Sequence, residues 1–91
     1  MILLITYELQ RPERDTHLVE RLLKTAASWS RPFDQAWLID TEEEPKAWRD
    51  RLRAVGDVRD EFLVVRVGRS WASRNVDAVA LTWLRNAGRR W

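Results

Sequence analysis

Ile2-Leu3-Leu4-Ile5-Thr6-Tyr7-Glu8-Leu9 decides the reading of this chain. The run is apolar on both faces for most of its length, then turns polar at Tyr7-Glu8 and enters Gln10-Arg11-Pro12. A strand buried on both faces belongs in the middle of a sheet. The run is far too short for a membrane-spanning helix, which needs about 20 apolar residues. It also lacks the charged leading region of a signal peptide. It is therefore read as a strand of a soluble, cytoplasmic protein with no membrane partner.

Working outward, Asp15 or Thr16 is placed to cap a helix, because a short polar side chain accepts the free backbone N–H groups of a first turn. Leu18, Val19, Leu22, Leu23, Ala26 and Ala27 recur at helical spacing, which predicts a helix over about residues 15 to 27. Ser28-Trp29-Ser30-Arg31-Pro32-Phe33 alternates large and small side chains, and Pro32 restricts such a strand to an edge. Gln35-Ala36-Trp37-Leu38-Ile39-Asp40-Thr41 reads as its hairpin partner. Thr41-Glu42-Glu43-Glu44 is a capping-box pattern, and Pro45 suits a first helical turn. Trp48, Leu52 and Val55 make the next apolar stripe, ended by Gly56. Phe62-Leu63-Val64-Val65-Arg66-Val67 is a second strand of central type, stopped by Gly68.

The order strand, helix, strand, strand, helix, strand predicts an α+β, ferredoxin-like βαββαβ core over residues 1–68, with an antiparallel sheet and both helices on one face. Residues 69–91 extend the same domain. There Ser73 or Asn75 would cap a last helix, with Val76, Val79, Ala80, Trp83, Leu84 and Ala87 as its stripe. A sheet with one wet face should alternate cleanly, yet both faces of the first and last strands are apolar. The face away from the helices therefore needs a cover. A second copy would supply it through Ile2, Leu4, Thr6, Phe62 and Val64. Folding back of the C-terminal helix is the alternative.

Composition narrows the chemistry. The chain has no cysteine, which removes disulfides, thiolate metal sites and cysteine nucleophiles. The formal net charge is only +2, but it is uneven. From Glu61 onward six arginines stand against Glu61 and Asp77, a local +4 that leaves −2 for the first sixty residues. Lysine occurs only at positions 24 and 46. The arginine preference fits guanidinium recognition of phosphate; it also fits a GC-rich gene. There is no glycine-rich phosphate loop, no His/Cys metal spacing and no histidine motif beside Ser70 or Ser73. His17, the one histidine, is expected on an exposed helical turn.

Leu4-Ile5-Thr6-Tyr7-Glu8-Leu9 with Arg11-Pro12, Ser28-Trp29, Arg31-Pro32, Trp37-Leu38-Ile39, Phe62 to Gly68, and Trp71-Ala72-Ser73 together resemble SinR-like small proteins, a group within the Cas-two-like, VapD-like ferredoxin-fold family. The resemblance spans roughly residues 1 to 73 and rests on order and spacing. It implies a homodimer associated with DNA or RNA, in a family that includes nucleases and non-catalytic scaffolds. It also implies an acid at the tip of the first strand, here Glu8 where the family has Asp. Across a dimer axis paired Glu8 residues would hold Mg²⁺ or Mn²⁺ and support endonuclease or endoribonuclease chemistry. Tyr7, Arg11, Arg66, Arg69 and Arg74 are the candidate nucleic-acid contacts. Three functions stay open at this point: a nucleic-acid-binding scaffold, a metal-dependent nuclease, and a protein-interaction module without nucleic-acid affinity.

Overall fold

The computed structural model describes residues Met1–Trp91. Its elements run β1 (Ile2–Glu8), α1 (Pro12–Leu23), β2 (Ser28–Phe33), β3 (Ala36–Asp40), α2 (Pro45–Val55), β4 (Glu61–Val67) and α3 (Ala78–Arg85). The four strands form one antiparallel sheet in the order β2-β3-β1-β4, so the molecule is α+β. β1 is interior, as its two-faced apolar run requires. None of the three helices is long and apolar enough to cross a membrane.

Register sorts the side chains onto two faces. Leu3, Ile5 and Tyr7 of β1 stand beside Ile39 and Trp37 of β3 and beside Arg66, Val64 and Phe62 of β4. This face carries α1 and α2, whose Val19, Leu23, Trp48 and Leu52 close over Leu3, Ile5, Tyr7, Trp37 and Ile39 as one core. Each large side chain buried here stabilises the fold by roughly 1.5–3 kcal/mol. Trp37 lies at the centre, fully buried, with the Arg31 guanidinium 4.9 Å from its ring and Trp29 at 5.1 Å.

The opposite face holds Ile2, Leu4 and Thr6, with Leu38 and Asp40 on β3 and Leu63, Val65 and Val67 on β4. The C-terminal segment folds back over part of it. Ser28 and Ser30 of β2 share this face by register with Asp40 and Leu38. Their small side chains leave room for α3, where Ala80 is buried and Trp83 Nε1 donates to Ser28 Oγ at 2.9 Å. Beyond α3, Arg90 Nε, the Arg90 backbone N–H and Arg89 Nη1 all donate to the Asp40 carboxylate, at 3.1, 3.3 and 3.4 Å. An apolar cavity of about 180 Å³ remains between Leu4, Leu38 and Val67 of the sheet and Trp71, Val76 and Leu84 of the tail. The cover stops short of the β4 edge, where Leu63 is 59% and Val65 43% exposed.

Three element boundaries depart from expectation. α1 begins at Pro12 rather than near residue 15, because proline at the first helical position loses no hydrogen bond there. Its flanking residue Arg11 provides no side-chain cap, and Asp15 is buried inside the first turns instead. The hydroxyl of Thr41 accepts from Glu43 N and from Trp48 Nε1, while Glu44 takes the capping position of α2 without a side-chain bond. α3 is capped by Asp77, whose Oδ1 accepts from Val79 N at 2.9 Å. Asn75 instead sits in the left-handed region at φ 58°, a conformation that asparagine tolerates better than most residues.

Candidate nucleic-acid interface

The residues singled out from sequence fall at two opposite ends of the sheet. β1 and β4 are antiparallel, with Ile2 beside Val67 and Glu8 beside Glu61. Glu8 and Arg11 therefore lie at one end. Arg66 and the segment carrying Arg69 and Arg74 lie at the other, roughly 20 Å away at about 3.3 Å per strand residue.

At the first end the carboxylates mostly hold loops together. Asp60 accepts from Gln10 N and Asp57 N, both at 2.7 Å, which ties the segment after β1 to the turn before β4. A side chain at position 56 would have to displace the Asp60 carboxylate from these bonds. Asp57 accepts from Arg59 N and Nε, and these bonds hold its carboxyl below the ordinary value. Arg11 reaches Asp57 at 3.8 Å. Arg14 Nε donates to buried Asp15 at 2.8 Å and lowers that carboxyl's pKa. Glu8 is exposed, with neither a hydrogen bond nor an ion pair; its register partner is Glu61. Like charges directly opposite on paired strands repel. No set of three His, Cys, Asp or Glu side chains in one chain could hold a metal ion. Glu8 and Glu61 therefore bring no third acidic or histidine ligand with them, and a Mg²⁺ or Mn²⁺ ion at Glu8 would draw further oxygens from a second copy, from phosphate or from water.

Tyr7 lies in the core, the other reading open to it beside base stacking. It is 4% exposed, on the face covered by α1 and α2. Its hydroxyl accepts from Trp37 Nε1 at 3.1 Å and donates to the Asp34 carbonyl at 3.4 Å. The expected dimer surface also divides. Phe62 and Val64 pack against the helix-covered core, whereas Ile2, Leu4 and Thr6 face the other way. Ile2 is fully buried within its own chain. The apolar side chains left exposed on that second face are Leu63 and Val65 of β4, one register step from those expected, and Phe33 of β2. His17 is exposed, as anticipated.

At the other end the tail builds a groove of about 280 Å³ lined by Arg69, Trp71, Leu84, Arg85, Asn86, Ala87, Arg89 and Trp91. It contains three guanidinium groups, two indoles and no acidic side chain. Arg89 is engaged, stacked 4.2 Å from Trp83 and reaching Asp40. Arg69 and Arg85 form no ion pair. Arg66 donates from Nη2 to the Trp91 carbonyl at 2.8 Å and so fixes the far wall. Arg74 is exposed and lies outside the groove. Arg85 was not anticipated from sequence. The available signal was its i, i+4 spacing from Arg89 at the end of an apolar stripe, followed by Trp91. Chemically the groove offers forked donors to an anion and flat indole surfaces beside them. Neither a family model, nor a curated protein, nor a solved structure matches the chain.

Proposed function

We propose that this chain is a small nucleic-acid-binding protein of the Cas-two-like, SinR-like type, with a ferredoxin-like βαββαβ core, working as a cytoplasmic homodimer. The observation that carries the binding role is the groove without acidic side chains in which Arg69 and Arg85, both without side-chain ion pairs, stand beside Trp71 and Trp91. Arginines already matched to carboxylates have little charge left for a ligand, and many arginines here are so matched, among them Arg14, Arg31, Arg49, Arg51 and Arg59. The strand order β2-β3-β1-β4 supports the ferredoxin-like reading. Exposed Leu63 and Val65 along the open edge of β4 support a second copy as partner.

The test is fluorescence anisotropy of labelled single-stranded RNA and duplex DNA across a salt series, followed over time after Mg²⁺ addition. The expected result is binding that weakens steeply with salt and an anisotropy that stays constant with Mg²⁺. The Arg69→Ala/Arg85→Ala variant should weaken binding and flatten the salt slope by about 1 to 2. Absence of binding at low salt would overturn the reading and leave a protein-interaction module. A fall in anisotropy that EDTA prevents would replace the scaffold with a nuclease and direct attention to Glu8.

A further inference from the structure

The groove's shape and lining carry a narrower statement about its ligand. Its volume of about 280 Å³ falls at the lower edge of small-molecule pockets, roughly 300–1,000 Å³. That volume is on the scale of one nucleotide unit. The lining joins two chemistries in one small space: guanidinium forks suited to a phosphate and indoles suited to the flat face of a base. A phosphate-only site has no use for two tryptophans at its wall.

Trp71 is packed in place, and Trp91 is tethered at its main chain. Trp71 lines the groove and also the apolar cavity beneath the tail, beside Leu4, Leu38 and Val67. Trp91 is fixed through its backbone carbonyl, which accepts from Arg66. A platform already ordered loses little side-chain freedom when a flat ring settles on it. The bases of a duplex are stacked on one another and cannot offer a face to a wall of this kind. An unpaired base can.

Resting on the nucleic-acid reading above, we infer that this groove takes a single unpaired nucleotide of a DNA or RNA strand, its base against Trp71 or Trp91 and its phosphate on Arg69 and Arg85. The protein is thereby a binder of single strands, overhangs or frayed ends, and duplex binds only through charge.

The test compares three labelled probes on the full-length protein in one buffer: a single strand, the same strand with abasic residues throughout, and the blunt duplex. The single strand is expected to bind roughly tenfold or more tighter than the abasic strand, the scale of one base stacked on an aromatic side chain. Trp91→Ala and Trp71→Phe should each narrow that gap. Equal affinity for base-bearing and abasic strands would overturn base capture and leave the phosphate-binding role intact. Failure of all three probes to bind would instead remove the nucleic-acid reading itself. The abasic comparison uses only the unaltered protein, so it stands even where a tryptophan variant loosens the tail.

Discussion

At the scale of single residues, the phenolic oxygen of Tyr7 is a junction. It takes a hydrogen bond from Trp37 and gives one to the Asp34 carbonyl, which also receives two from Arg31. Tyr7→Phe removes that oxygen and leaves the Trp37 indole N–H without its partner inside the core. The expected cost is roughly 1–3 kcal/mol, read as a lower urea midpoint, with single-strand affinity unchanged. A variant of full stability and reduced affinity would return Tyr7 to the binding surface. The alternation of β1 put Tyr7 on the same face as Leu3 and Ile5, so its burial was legible once that face was assigned to the helices. What the sequence left open was which face of β4 went with it. Phe62 and Leu63 are both large and apolar, and only the pairing of Tyr7 with Phe62 decides between them.

At the scale of elements, α3 is the least supported helix. It spans Ala78–Arg85 and is much shorter than the roughly 12–15 residues an isolated helix needs. Its order depends on the Asp77 cap, on Ala80 and Trp83 against β2, and on the Arg89 and Arg90 bonds to Asp40. Asp77→Ala should destabilise it by about 0.5–2 kcal/mol. Hydrogen exchange should report this as faster exchange across residues 78–85 with β1 and β3 unaffected; uniform acceleration through the sheet would contradict it. The stripe of Val76, Ala80, Trp83 and Leu84 made this helix visible in advance. Its resting place was not visible, because the receiving surface is two serines on an edge strand. Ser28 and Ser30 read as the polar half of an alternation, and nothing local marks them as a seat for another helix. Pro12 and Asp77 likewise do not stand out as helix starts, since polar side chains two to four positions away compete for each.

At the scale of the whole molecule, the two margins of the sheet differ. β2 contains Pro32 and a register irregularity between Ser30 and Phe33, features that spoil a strand for pairing with a newcomer. β4 contains neither, and its Leu63 and Val65 remain exposed. Light scattering of the purified protein should give the mass of two chains, and Leu63→Lys with Val65→Lys should return it to one. A strict monomer at high micromolar concentration would defeat the proposed dimer. The asymmetry also bounds how far association can proceed. In the proposed dimer, two copies joined by a twofold axis through β4 would use up both β4 margins and turn only the Pro32 margins outward. Growth then halts at a closed pair, because no remaining rim can template a further strand. In that pair, Pro32 and the irregularity beside it would stand between this small, tryptophan-rich chain and open-ended fibre growth.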